Sequence, residues 1–251
     1  MVELHNGDCL EVMKTIKDHS VDLILCDLPY GTTACKWDNV IPFEPLWEQY
    51  DRVIKENGNI VLFSKQPFTT KLNSSNLEKF RYELIWEKQQ ATSPMLSKQR
   101  ILPIHENISV FYKSLGTYNP QKSFGHKNYK SFKSESKLIG EVYGESKSYH
   151  NECTDGSRFP TSILRFNNVR KAVHPTQKPV PLLEYLIKTY TNENDLVLDN
   201  CMGSGSTGVA CKNTNRNFIG IELDKNYFEI AKNRIENTVV NAEIKENLEE
   251  W

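Results

Sequence analysis

One run near the C-terminal end constrains this chain more than any other. Asp195-Leu-Val-Leu-Asp199 reads as a short buried strand, Gly203-Ser-Gly-Ser-Thr-Gly208 follows it, and Asn217-Phe-Ile-Gly-Ile-Glu222 reads as a second strand. Glycines allow a backbone to approach a ligand closely, and a carboxylate ending the next strand can accept hydrogen bonds from ribose hydroxyls. Glu222 stands 19 residues after Gly203, close to the spacing of about 20 expected of such a nucleotide unit. The pattern predicts a strand–turn–helix–strand unit that binds a nucleoside, set in an α/β domain.

The N-terminal part supplies the other strands. Val21-Asp-Leu-Ile-Leu-Cys26 and Asn59-Ile-Val-Leu-Phe63 are nearly continuous apolar runs, as parallel strands covered on both faces require. Between them Phe43, Leu46, Trp47, Tyr50, Val53 and Ile54 recur at helical spacing, with Asn57-Gly58 as the expected stop. Tyr82–Trp86 and Ile108–Tyr112 are further strand candidates, and Leu182, Leu183, Leu186, Ile187 and Tyr190 mark a late helix. Strands alternating with helices imply a mostly parallel sheet. A dinucleotide dehydrogenase would place the glycine unit first. Here one helical stripe (Tyr227, Ile230, Ala231, Ile235) follows Glu222, so the order suggests a permuted methyltransferase-like sheet with its nucleotide half last.

Residues 114–160 break the alternation. They are rich in Lys, Ser, Tyr, Asn and Gly, and aromatics (Tyr118, Phe124, Tyr129, Phe132, Tyr143, Tyr149) are interleaved with the lysines. A stretch of that length without periodicity is either disordered or a functional insertion. The net charge of −1 hides an asymmetry: residues 113–178 carry 12 Lys and Arg against 5 Asp and Glu, a net +7, which leaves −8 for the remainder. A polyanion facing one surface and a solvated lysine-rich loop both fit that distribution. No apolar run approaches the length of a membrane span, no leader is visible at the start, and the six cysteines form no CxxC pair. These features lead us to expect a soluble cytoplasmic protein with reduced thiols, no metal and no membrane partner.

Asp27-Leu-Pro-Tyr30 directly follows the first apolar strand, and open α/β sheets place ligands at the carboxyl ends of their strands. An ordinary strand-to-loop turn would also use Pro and Gly. The tetrapeptide adds a carboxylate acceptor at Asp27, a backbone acceptor at Leu28, a restricted backbone at Pro29 and the π-face of Tyr30. Together these suit a planar ring bearing an exocyclic amine.

Three segments carry a resemblance. Asp27-Leu-Pro-Tyr30, His174-Pro-Thr-Gln-Lys-Pro179 and Asp199-Asn-Cys-Met-Gly-Ser-Gly-Ser-Thr207 resemble the signature motifs of the amino-methylating DNA methyltransferases, in the order of the beta group. Thr32-Thr-Ala-Cys-Lys-Trp-Asp38, Gln66-Pro-Phe-Thr69 and His105-Glu-Asn-Ile108 are similar to methylases of phage and prophage origin. The resemblance covers nearly the whole chain outside residues 122–156. It implies a seven-stranded, Rossmann-like, circularly permuted sheet: a catalytic domain of residues 1–113 and 161–251, with residues 114–160 inserted for target recognition. It also implies S-adenosylmethionine as cofactor and double-stranded DNA as partner. Gly203, Ser204 and Gly205 would line the methionine part of the cofactor, near Asp199, and Glu222 would hold its ribose. Asp8, with Cys9 beside it, would meet its adenine amine, and Thr176 and Lys178 would lie near its carboxylate. Lys127, Lys130 and Lys133 would contact DNA phosphates. Beta-group relatives are often dimers and can accompany a restriction endonuclease.

Two departures stand out. Leu28 replaces a common second proline while keeping its carbonyl, and Asn200-Cys201 replace a usual Pro-Phe, which would loosen packing at the cofactor. Within the family aspartate at the first tetrapeptide position goes with adenine N6 and serine with cytosine N4, so Asp27 points to adenine. Cytosine N4 methylation, a catalytically silent DNA-binding relative and a nicotinamide-dependent oxidoreductase are the rival readings.

Overall fold

The computed structural model describes residues 1–32, 38–130, 152–169 and 177–239. They divide into two compact units, residues 1–119 with 162–251, and residues 120–161. The elements of the larger unit begin with β1 (Val2–Asn6), α1 (Cys9–Met13), β2 (Val21–Asp27), α2 (Phe43–Val53), β3 (Ile54–Ser64) and α3 (Phe68–Ser75). β4 (Phe80–Glu87) and β5 (His105–Phe111) follow. The smaller unit contributes β6 (Tyr129–Lys130) and β7 (Glu152–Cys153). The larger unit then resumes with β8 (Ile163–Arg165), α4 (Val180–Tyr190), β9 (Leu196–Asp199), α5 (Ser206–Asn213), β10 (Asn217–Glu222) and α6 (Lys225–Glu236).

Eight strands form one sheet in the order β1-β10-β9-β2-β3-β5-β4-β8. Seven of them make the expected Rossmann-like sheet, and the three-residue β8 adds an eighth at the β4 edge. All neighbours run parallel except β5, which is antiparallel to both β3 and β4. The strand order reverses between β9 and β2. Ligands of open α/β sheets bind at that kind of reversal, outside the carboxyl ends of the strands.

The apolar runs are continuous because both faces of the sheet are covered. Leu23 and Leu25 of β2 and Val61 and Phe63 of β3 pack under α4, α5 and α6, whereas Ile24, Cys26, Ile60 and Leu62 pack under α1, α2 and α3. Val21 shares the second face with Ile24 and Cys26, out of phase with simple alternation. A register shift between Val21 and Leu23 accounts for it. The same irregularity corrects one expected boundary: α2 closes at Val53 and not at Asn57-Gly58. Ile54 adopts extended dihedrals (φ −71°, ψ 141°) and pairs with Val21, so the strand begins five residues earlier than the apolar run.

In the smaller unit β6 and β7 pair antiparallel, and Ser123 bridges Arg158. The Arg158 guanidinium lies 4.6 Å from the centre of the Tyr129 ring, and the Lys122 ammonium 4.5 Å from that of Phe159. Among the described residues no helix is long and apolar enough to cross a membrane.

Candidate active site

β2 and β9 lie side by side, so their terminal carboxylates, Asp27 and Asp199, reach one cavity of ≈ 360 Å³ at the carboxyl edge of the sheet. That volume falls within the range of small-molecule sites. Leu28, Pro29 and Tyr30 line the same cavity as Asp8, Cys9, Gly203, Ser204 and Glu222. The two sequence segments that carry chemistry therefore share one space.

The glycine turn is built for close approach. Gly203 (φ 52°) and Gly205 (φ 78°) occupy the left-handed region, and a Cβ on Gly205 would stand 2.9 Å from that of Ala231. The Gly203 N–H donates to Glu222 Oε2 (2.8 Å) and the Asp224 N–H to Oε1 (2.8 Å), which fixes the carboxylate and leaves each oxygen a further lone pair. Burial pushes the Glu222 carboxyl above its ordinary range. Asp199 is enclosed. Its Oδ1 accepts from the Cys201 N–H (3.1 Å) and its Oδ2 from the Thr207 hydroxyl (2.6 Å), and burial pushes its pKa up to about 6. Asp8 caps α1, accepting from the Leu10 N–H at 2.9 Å. The departure at Asn200 is accommodated by a bond from the buried Tyr50 hydroxyl (2.6 Å). Cys201 sets its thiol against those of Cys9 and Cys26, and burial pushes the Cys26 thiol up to about 12, so that thiol stays neutral.

The tetrapeptide corner is held differently. The Tyr30 hydroxyl donates to Asp27 Oδ1 (2.5 Å), and the Tyr30 ring stacks on Phe68 with centroids 5.2 Å apart. The Lys178 ammonium, expected near the cofactor's carboxylate, is buried and paired with Asp27 Oδ2, with Glu106 Oε2 3.3 Å away. Lys88 closes the chain by pairing with the other oxygen of Glu106. Burial pushes the Asp27 carboxyl up, and Lys178 pulls against it. Burial also pushes Glu106 up, but Lys178 and Lys88 outweigh it and hold that carboxyl below its ordinary value. Lys178 stays charged, because Asp27 and Glu106 overcome the cost of its burial.

Glu106 and Lys88 had no role assigned from sequence. The available signal was an acidic residue in the same alternation phase as the apolar Ile108 and Val110, since a buried carboxylate demands a partner. Lys127 and Lys130 are exposed in the smaller unit, where Lys130 pairs with Glu152 at 3.2 Å. Thr176 and Lys133 lie outside the described residues, as does His174.

A model of the N6/N4 DNA methylases matches residues 21–233, from the start of β2 into α6. The chain belongs to this family of DNA methylases. It is 28% identical to the type II methyltransferase M.HpaI of Haemophilus parainfluenzae over 242 residues, which cover 92% of this chain and 73% of the relative. It is 27% identical to M1.MboII of Moraxella bovis, covering 91% and 94% of the two chains. Among solved structures, the M1.HpyAVI–SAM complex superposes with a TM-score of 0.63 at 27% identity, covering 93% of this chain and 100% of that one. The cytosine-N4-specific PvuII DNA methyltransferase shares the fold (TM-score 0.67, 16% identity, 95% and 88% covered).

As in this methylase family, the cofactor is S-adenosylmethionine. The cavity suits it. Among the described residues that line it, Asp8, Asp27, Asp38, Asp199 and Glu222 face one ammonium, that of Lys178, an acidic surround that favours a cationic ligand. Among the described residues no group of His, Cys, Asp and Glu is arranged to hold a metal ion.

Proposed function

We propose that the protein methylates the N6 amine of adenine at a specific site in duplex DNA. The observation that carries this reading is the shared cavity: the Asp27 carboxylate, 21% exposed, opens onto the space lined by the glycine turn and Glu222. Glu222 would hold the ribose hydroxyls of the cofactor, Asp8 its adenine amine, and Gly203, Ser204 and Gly205 its methionine portion. When bound, S-adenosylmethionine supplies a methyl carbon made electrophilic by an adjacent sulfonium.

An exocyclic base amine is a poor nucleophile, because its lone pair is delocalised into the ring. Asp27 accepts one N–H of that amine and the Leu28 carbonyl the other, which favours a pyramidal nitrogen with its lone pair free. Tyr30 and Lys178 each occupy one oxygen of Asp27, yet a carboxylate has about four acceptor sites, so capacity for the amine remains. The two partners fix the carboxylate before substrate arrives, and preorganised acceptors stabilise charge developing on nitrogen. The amine that has received the methyl sheds one proton, which passes from the corner to water.

The amine of a stacked base is out of reach, so the base leaves the helix at a cost of a few kcal/mol. Stacking on an aromatic returns roughly 1–3 kcal/mol, and Tyr30, half-buried at the cavity wall, offers that ring. Residues 114–160, with Lys127, Lys130 and Lys133, would meet the phosphates and recognise the target. Expression in a methylation-deficient host followed by single-molecule sequencing of its genome tests the whole reading. N6-methyladenine in a recurring context is the expected result. Recurring N4-methylcytosine, or an unmodified genome, would overturn it.

A further inference from the structure

Residues 88–104 join β4 to β5 as an ordered hairpin that leaves the sheet at its carboxyl edge. The Lys88 N–H bonds the Ile104 carbonyl (2.8 Å) and the Thr92 N–H that of Pro103 (2.9 Å). A single 3₁₀ turn, Pro94–Leu96, then forms the tip, and the N–H groups of Gln99 and Arg100 fold back onto the Leu96 carbonyl at 2.9 and 3.0 Å. Ser93 enters that turn in the left-handed region (φ 63°), a conformation that non-glycine residues rarely adopt. The loop is therefore shaped, and its shape aims side chains outward.

Those side chains are unusual for a free surface. Met95 is 91% exposed and Ile101 95%, with Ile104 also exposed at the base. Lys98 and Arg100 stand beside them, exposed and without an ion pair among the described residues, and no acidic residue occurs between positions 88 and 104. A single exposed apolar residue needs no explanation. Two of them nearly bare on one built hairpin whose only charged residues are cations describe a surface for an anionic partner with apolar interior faces. Stacked bases between phosphates have that composition.

The position agrees. Asp27 lies opposite Phe63, Phe63 opposite Ile108, and Ile108 opposite Leu84, in one row across the sheet. With strands about 4.8 Å apart, Leu84 is roughly 14 Å from Asp27. β2, β3 and β4 share one direction, so the hairpin emerges four residues after Leu84 on the side where the catalytic corner opens. Its first residue, Lys88, is tied through Glu106 and Lys178 to Asp27.

We infer that this hairpin is a DNA wedge: Met95 and Ile101 enter the base stack where the target nucleotide leaves it, and Lys98 and Arg100 hold the flanking phosphates. The inference rests on the reading that duplex DNA is the substrate. Extruding a base opens a gap between its neighbours, and apolar side chains inserted between base steps keep such a gap open. The corner and the hairpin then divide the task, one holding the extruded base and the other the vacated helix.

The test uses the full chain with Met95→Ala and Ile101→Ala combined, and two duplexes carrying the sequence context found in the genome experiment. One duplex is intact and the other has an abasic residue opposite the target, so that its stack is already weakened. We expect kcat/KM on the intact duplex to fall about tenfold or more, the abasic duplex to recover most of that loss, and S-adenosylhomocysteine affinity to stay unchanged. In a separate variant, Lys98→Gln with Arg100→Gln should flatten the salt dependence of DNA binding by about 0.9 in log–log slope per lost phosphate contact. Equal losses on both duplexes, or none on the intact one, would overturn the wedge. A variant with altered sedimentation but unaltered methylation would assign the tip to contacts between copies of the chain, and would also overturn it. Failure of the unsubstituted protein to methylate any DNA would instead remove the substrate reading, and the wedge with it.

Discussion

The glycine turn and the tetrapeptide corner share a cavity but are assembled in opposite ways. At the turn both carboxylates are held from within residues 199–224: Glu222 accepts from Gly203 and Asp224, and Asp199 from Cys201 and Thr207. At the corner only Tyr30 is a sequence neighbour of Asp27, while Lys178 lies 151 residues away. Glu106 and Lys88 reach the corner only because β5 and β4 run beside β3. The two carboxylates of a binding turn can be fixed within one continuous segment. The charge environment of a buried acid has to be brought together by the sheet. Such an environment is also fragile, because a buried ion pair gains little over apolar packing but its disruption strands a charge.

If the corner does the chemistry and the turn only holds the cofactor, substitutions should separate the two. Asp27→Ala should cut methyl transfer at least about 100-fold while leaving S-adenosylhomocysteine binding by calorimetry intact. Comparable loss of binding would merge the two regions into one. Lys178→Met strands Asp27 and Glu106 without their shared counter-charge, and should destabilise the fold by roughly 3–5 kcal/mol in denaturant titrations. In the surviving folded fraction, Asp27 loses the partner that opposes its upward shift, so the acid limb of kcat should move to higher pH. Lys178→Arg keeps the charge and should keep the limb.

Glu222→Ala should show the reverse separation, raising the cofactor dissociation constant by about tenfold or more with transfer at saturating cofactor preserved. A further effect is on the pH dependence of stability. Asp199, at about 6 in the fold, is raised above its unfolded value, so the folded state binds more protons between pH 4 and 6 and stability falls as pH rises through that window. Asp199→Asn removes this dependence. Relative to the unsubstituted protein it should gain up to about 3 kcal/mol between pH 4 and pH 7, less any loss from its bonds to Thr207 and Cys201. A flat difference between the two proteins would mean that Asp199 does not titrate there.

The same contrast explains what was legible in the sequence. β2, β3, β9 and β10 were readable because strands buried on both faces need unbroken apolar runs, and α2, α4 and α6 because each buries one stripe. β1 carries Val-Glu-Leu-His-Asn, partly exposed at the sheet edge, and offers no such run. α1 is five residues long and depends on the Asp8 cap, too short for periodicity to register. The antiparallel direction of β5 has no signature in its residues. Tyr30 and Glu222 could be singled out from local spacing. For Glu106 strand alternation could flag a buried carboxylate but not its role, which Lys178 and Lys88 define through contacts that exist only after the sheet has formed.

The most direct test is a structure of the protein bound to S-adenosylhomocysteine and to a duplex carrying its target site. The expected result places an extruded adenine in the cavity, its amine bonded to Asp27 and to the Leu28 carbonyl, with the cofactor sulfur on the opposite side of that nitrogen. Asp27 enclosed by Tyr30 and Lys178 alone, with the target base stacked in the helix or bound elsewhere, would contradict it.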